Sequence, residues 1–438
     1  MIELSGIQPS DFHQKSRIGH VAEVTKYDEK DYRVKKDVRE QDHKWTILLL
    51  AVACGLIVAN IYYVQPLVGP LSADIGLSHA AAGLLVTLTQ LGYAAGLLLI
   101  APLGDLIENR RLAVVLTAIA AVSLAAMGCA WNAPVFLLAA FVTGLTSVAV
   151  QVLVPLAAHL APEAIRGRVV GTVQSGLLLG IMLARPAASF LTQLSSWRWP
   201  FLISTGLMAA LALLLRVALA PRRPQAGVSY SELLRSMGHL ALTTPMLWRK
   251  SFYQFCLFGA FSLFWTAVPL LLAGPAYRLS QNGIALFALA GVAGAVATPL
   301  AGRLADAGWV RVGTGVAMAI VAAAFATSFF ATHGSHMELV VLTVCAIFID
   351  FGVQANLAFG ARAVLSLSVE DRARLNSLFI GTFFCGGAVG SAVGAWAYAY
   401  GGWMIVAFFG LLLIAFAFVA YATEWRRRSQ KTNNIGDH

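Results

Sequence analysis

A chain of 438 residues, 58% hydrophobic and only 12% charged, excludes a soluble globular fold, in which about a quarter of the residues are charged. The net charge of +10 implies no nucleic acid partner, because the basic residues are scattered through short connections between apolar runs. The composition fits a lipid bilayer, and the fold class it implies is an all-α polytopic membrane protein.

The chain opens on a polar stretch, 1–44, with nine Lys/Arg against nine Asp/Glu and no apolar core of a signal peptide. It reads as a disordered tail. Apolar runs follow at 46–68, 80–103, 112–131, 134–160, 169–193 and 200–220. After a polar connection at 221–250 they resume at 251–273, 282–301, 312–331, 337–360, 376–398 and 402–423, and a basic tail, 424–438, closes the chain. Each run is long enough to cross roughly 30 Å of hydrocarbon. Twelve transmembrane helices are predicted, in an N-terminal six-helix bundle (45–220) and a C-terminal one (251–423).

An even number of crossings puts both termini on one side, and the basic residues choose it. Connections after even-numbered spans, with the C-terminal tail, carry nineteen Lys/Arg, whereas those after odd-numbered spans carry only Arg198 and Arg278. The positive-inside rule then places both tails in the cytoplasm, with a bacterial inner (plasma) membrane as the expected location. The halves also echo each other. "PLGDLIENRR" after span 2 answers "GRLADAGWVR" after span 8, and "PEAIRGR" after span 4 answers "EDRARLN" after span 10. Asp105 and Asp306 stand 201 residues apart, and Arg166 and Arg372 stand 206 apart. Equivalent offsets at equivalent topological positions mark a duplication.

A rhythm of three runs through the spans. Spans 2, 5, 8 and 11 hold small residues four apart, as in Gly176/Gly180 and Gly386/Gly390/Gly394, which let helix backbones approach closely. Spans 1, 4, 7 and 10 hold polar stripes: Asn60 and Tyr63; Thr143, Ser147 and Gln151; Gln254, Ser262 and the deep Trp265; Asp350 and Gln354. Gln65 precedes Pro66 near the outer end of span 1. These are the candidate cavity and substrate-binding residues, because a stripe repeated in every third helix needs a shared aqueous space. Tyr62 and Phe258 are further candidates for a pocket wall. Spans 3, 6, 9 and 12 carry no amide or charge in their middles and are assigned to lipid.

Two formal charges lie within the span interiors, Arg185 and Asp350. Each costs about 2.5–3.5 kcal/mol at mid-helix unless it is paired or used. With no deep histidine, Asp350 is the candidate proton carrier. Arg185, followed by Pro186, has three readings. It satisfies backbone vacancies near the proline, pairs with Asp350 across about 8 Å of depth, or binds an anionic substrate group. At the cytoplasmic surface, Asp105 with Arg110 and Arg111, and Asp306 with Arg311, are expected to latch the halves together as a gate. The five cysteines lie in apolar runs without a CxxC pair, so no metal site is expected. No phosphate-binding loop occurs, so no nucleotide and no other cofactor is expected. No deep nucleophile–base pair occurs, so neither catalytic residues nor an enzyme is expected.

Across about 45–425 these motifs resemble the major facilitator superfamily. "PLGDLIENRR" is similar to its loop 2–3 signature, with Asp105, Arg110 and Arg111 in place. "NIYYVQPLVGPLSADIGLS" and "DFGVQANLAFGARA" resemble a bacterial branch of drug:proton antiporters or efflux permeases, although Ala140 stands where that group usually carries an arginine. The resemblance implies a monomeric secondary transporter that exports a small organic solute against proton entry. Proton-coupled uptake of a metabolite on the same fold is the alternative, and a non-transporting membrane sensor or enzyme a remote one.

Overall fold

Polar side chains cap three of the spans at their start. Asn132 accepts the Val135 N–H at 3.0 Å, Ser280 the Gly283 N–H, and Ser335 with Glu338 forms a capping box. Each side chain satisfies a backbone donor that the first helical turn leaves over. The structure, a computed structural model, describes residues 44–224, 227 and 229–436. The tail expected at 1–44 lies outside them save for Lys44. Leu50–His438 form one compact unit; of the other, Met1–Leu49, the described part is the start of the first helix.

The helices are α1 (Lys44–Ala59), α2 (Val68–Asp74), α3 (Leu84–Leu99), α4 (Asn109–Gly128), α5 (Ala133–Ser147), α6 (Ala149–Leu160), α7 (Arg166–Leu194) and α8 (Trp199–Ala218). The second half holds α9 (Tyr230–Thr243), α10 (Pro245–Ala273), α11 (Gln281–Ala290), α12 (Ala297–Asp306), α13 (Val310–Ser328), α14 (His336–Leu365) and α15 (Arg372–Gly436). Ten helical stretches among the described residues are long and apolar enough to cross a membrane. The last, Arg372–Glu424, is 53 residues long and breaks at Gly401 and Gly402, the latter at φ 63°, so it makes two crossings. The first crossing is divided: α1 gives way at Asn60 to turns and a 3-10 turn (Gln65–Leu67) before α2. Twelve crossings result.

Burial follows the expected rhythm only in part, since span 3, assigned to lipid, is 56% buried in its most apolar window, like span 2, and span 5 only 33%. In the most apolar window of α10, span 7, 89% of residues are buried, against 33% for α8 and α13, spans 6 and 9, whose Leu213, Val217 and Val316 face outward. The duplication reappears as contact geometry. A Cβ on Gly180 (α7) would overlap the Gly55 carbonyl of α1, and one on Gly390 (α15) would overlap the Gly259 carbonyl of α10. Glycine is required there because two backbones touch.

Two features differ from the sequence expectation. The connection 221–250 contains α9, closed at its start by a Ser229/Glu232 capping box. Lys250 and Glu424, which the predicted boundaries leave outside the spans, are buried and pair at 3.3 Å. Tyr253 donates to Glu424 at 2.9 Å. Each charge lies within reach of the other and of a phenol, so burying them together costs less than leaving one alone.

Candidate functional site

Two spans lose regular helix in their middles, and both losses face one place. Residues 60–68 are all buried, and i→i+3 bonds hold this turn, among them Tyr62 N–H to Ala59 O at 2.9 Å and Leu67 N–H to Val64 O at 3.0 Å. Between α11 and α12 the chain forms a second 3-10 turn, Gly291–Val296. Irregular backbone at membrane depth persists only inside protein or beside a cavity, and here each segment lies beside α7, which carries Arg185.

The Arg185 guanidinium lies 3.7 Å from Asp350 of α14, an ion pair between the halves of the chain. Its Nε donates to Gln65 Oε1 at 2.8 Å. Trp265 of α10 donates its indole N–H to Asp350 Oδ1 at 2.8 Å. The guanidinium carbon stands 4.2 Å from the Trp265 ring centroid, 4.9 Å from Phe261 and 5.6 Å from Tyr62. All six residues are at most 5% exposed, so each cation–π contact is desolvated and strengthened accordingly.

Glycine makes the room. A Cβ on Gly291 would come within 2.5 Å of Asp350 Oδ2 and 3.4 Å of Arg185 Nη1, and one on Gly294 within 2.5 Å of the Asp350 Cβ. Asp350 stands 206 residues after Gly144, the offset that also relates Arg166 to Arg372. In the first half Gly144 is itself the small residue, packed on the Thr89 carbonyl. In the second half the carboxylate occupies that position, and the glycines have moved to the facing helix.

Of the three readings of Arg185, the pair is the one formed. Asp350 lies fifteen residues from the Leu365 end of α14 and Arg185 nineteen from the Arg166 end of α7. The difference of four residues is about 6 Å of rise, which the arginine side chain covers. α7 continues through Pro186.

The other candidates divide into three groups. Gln151 donates to the Tyr93 hydroxyl at 3.2 Å and accepts from Asn376 of α15 at 3.4 Å, while Ser262 accepts from Gln90 of α3 at 2.8 Å; these join the halves. Gln254 accepts from Asn356 at 2.6 Å and ties α10 to α14. Gln354 is half-buried on α14, and Tyr63 is buried. Thr143 is turned toward α4, 2.8 Å from the Ser123 hydroxyl. Ser147 donates to its own helix at the Thr143 carbonyl, and Asn60 accepts from Ser204 of α8 at 2.6 Å. Thr143 and Asn60 thus bridge helices of the first half and Ser147 serves its own helix; an apolar run with a polar residue every turn does not reveal which neighbour that residue meets.

Phe261, Gln90, Asn356 and Gly294 belong to the central network beyond the residues singled out from sequence, and Gly291, expected from the small-residue spacing of span 8 to pack helices, belongs to it too. Gln90 was visible as an amide in an apolar run; Phe261 carried no signal.

At the α9 face the expected latch is corrected. Arg110 pairs with Glu108, two residues away, at 3.1 Å, Arg111 is exposed, and Asp306 pairs with Arg362 of its own half at 3.0 Å. Short sequence spacing explains the Arg110 pair, whereas Asp306 is met by an arginine of the neighbouring α14. What faces Asp105 is Arg374, from the first turn of α15, together with Arg222. These three line a cavity of about 270 Å³ with Gln151, His159 and Asn376. Arg374 also donates to Ser236 of α9, and Tyr230 donates to the Leu99 carbonyl at 2.8 Å.

Residues 48–364 match the family model described as Major Facilitator Superfamily. The chain is 37% identical to the uncharacterized transporter YgaY of Escherichia coli O157:H7 over 380 residues, 87% of this chain and 95% of that one. It is 33% identical to the probable transporter SCO4007 of Streptomyces coelicolor over 359 residues, 81% of this chain and 82% of that one. Among solved structures, a bacterial homolog of the human lysosomal transporter Spinster, inward-facing and unoccupied, matches with a TM-score of 0.67 at 17% identity, covering 87% of this chain and 97% of that one. A variant of the nucleoside transporter NupG matches with a TM-score of 0.66 at 14% identity, covering 86% and 98%.

Proposed function

The chain belongs to the Major Facilitator Superfamily, and from that premise we propose that this transporter moves a small organic solute by alternating access, coupled to protons carried by Asp350. The moving bodies are 45–220 and 251–423, joined by 221–250, in a monomer. The excess of Lys/Arg on the α9 side supports a cytoplasmic position for that side and both tails, in a bacterial inner membrane.

One observation carries the reading: the Arg185–Asp350 pair bridges the two halves between two broken spans. Separating the halves separates the charges, and each then needs a new partner. Asp350 takes a proton and Arg185 takes solute, so reorientation is tied to occupancy.

Direction follows from which member of the pair meets the solute. A solute competing for Asp350 excludes the proton and gives antiport, the export implied by the resemblance to efflux permeases. A solute competing for Arg185 frees Asp350 for a proton and gives co-transport, which an inward proton gradient drives as uptake. Spare hydrogen-bond donors at Arg185 favour the second, and Ala140, buried and apolar, supplies no relay arginine for the first. The test is solute flux in proteoliposomes under an imposed pH gradient. The wild type should respond to the gradient and Asp350→Asn should not. Flux indifferent both to the gradient and to that substitution would refute the assignment.

A further inference from the structure

We propose that the solute is an organic anion, a flat carboxylate, and that Arg185 receives it in place of Asp350. This rests on the transporter reading above and names the chemistry of the same site.

The argument is a census of donors and acceptors. Arg185 uses Nε on Gln65; among the described residues its two amino groups make no hydrogen bond, and Asp350 Oδ2 stands 3.7 Å away, too far for one. Gln65 Nε2 is fully buried and also without a partner. On the acceptor side, Gln65 Oε1 is committed to Nε, and Asp350 Oδ1 to the Trp265 indole. The two Arg185 amino groups therefore have one distant oxygen to answer them, and the residue that holds Nε carries a further unanswered donor. A carboxylate brings two acceptor oxygens and the matching charge, in the planar geometry a guanidinium fork takes up. A cationic solute would add donors and a second positive charge. The rings of Tyr62, Phe261 and Trp265 around the guanidinium suit a flat apolar body behind the carboxylate.

Occupation has a consequence for Asp350. Once Arg185 turns to the solute, the carboxylate is left buried and unpaired, and a proton on Oδ2 removes that cost while Oδ1 keeps the indole N–H. The charged or titratable groups facing it are Arg185 of α7 and Tyr62 of the turn after α1. α10 contributes Trp265, the 291–296 turn contributes glycine, and α13 meets α14 through Ala317 and Val321 at Gly352. Proton and anion therefore bind together, each raising the affinity for the other.

The experiment uses three probes of one shape: phenylacetate, phenylacetamide and phenethylamine. They are added to the full-length protein in lightly buffered detergent solution, with binding read by thermal shift and proton uptake by an indicator dye. Phenylacetate should bind with uptake of about one proton, and the amide and amine should bind at least about tenfold more weakly, as loss of a charge-assisted contact implies. Asp350→Asn should still bind phenylacetate, without proton uptake. Arg185→Gln combined with Asp350→Asn leaves no unpaired ion and should fold yet not bind. Preferential binding of the amine, silence of all three probes, or undiminished phenylacetate binding by the double variant would overturn the proposal. Spin-label distances between the halves, recorded with and without a pH jump, separate the two levels. Movement without carboxylate binding sinks the anion assignment alone, and absence of movement sinks the transporter mechanism.

Discussion

Removing one member of the Arg185–Asp350 pair should cost far more than removing both. Arg185→Met leaves a carboxylate buried without its counter-charge, and a loss of about 3–5 kcal/mol is expected, whereas Arg185→Met with Asp350→Leu should lie near neutral. Chemical unfolding in detergent measures both; a double variant as unstable as the single would contradict the pairing. Gly294→Ala acts on the same spot from the other side, because its Cβ would reach the Asp350 Cβ and the Phe351 amide. Transport should fall at least about tenfold in that variant, read as initial flux in proteoliposomes. Both charges were legible in the sequence because an ion inside an apolar span has no ordinary explanation. Their partnership was not, since distance along two different helices leaves side-chain reach and helix tilt unspecified. Phe261 was illegible for the opposite reason: one more aromatic in a hydrophobic run carries no distinguishing mark.

At the scale of elements, close helix crossings and helix ends make separable predictions. Gly180→Ala and Gly390→Ala insert a methyl where backbone already sits and should destabilise by about 1–3 kcal/mol each. Gly302→Ala, on α12 with no neighbouring atom within 4 Å of the added carbon, should be neutral or stabilising by about 0.5–1 kcal/mol. Thermal unfolding of the three variants checks the contrast. The α9 cap adds a pH dependence. Hydrogen bonds from the Ser229 backbone N–H and then its hydroxyl hold Glu232 below its ordinary carboxylate value. A depressed value in the folded state stabilises above the unfolded pKa of about 4.3, and that contribution is lost as pH falls through the folded value. Hydrogen-exchange protection across 229–243, corrected for the intrinsic rate at each pH, should therefore fall in acid, and Glu232→Gln should abolish that fall. The glycine pattern foreshadowed tight crossings, whereas the break in span 1 was not expected, Pro66 having marked only the outer end of that span. Composition alone did not show that span 8 opens into a 3-10 turn beside Asp350, nor that Lys250 and Glu424 slip inside the apolar layer by sharing a partner.

For the whole molecule, the seam between α3 and α15 at the face opposite α9 supplies the decisive handle. Thr87 and Ser391 face each other with hydroxyl oxygens 2.8 Å apart, and Thr87 also donates to the Ala388 carbonyl at 3.0 Å. With the exposed Cys129 replaced, Thr87→Cys with Ser391→Cys should close a disulfide on oxidation and stop flux, and reductant should restore it. Flux that continues through the cross-link would mean this seam never parts. The twelve crossings and the duplication were legible, because bilayer thickness and repeated offsets constrain them directly, whereas of the helices assigned to lipid, spans 6 and 9 are outward-facing and span 3 is as buried as span 2. The seam was not legible, for it depends on which of several small-residue faces meet. The buried pair also bears on energetics. One positive and one negative group cancel in the empty carrier, and under the proposed co-transport a proton with a monovalent anion cancel in the loaded one. On that proposal membrane voltage, worth about 2.3 kcal/mol per charge per 100 mV, has no net charge to pull in either crossing, and accumulation should follow the difference in acidity between the two compartments and be indifferent to an imposed voltage.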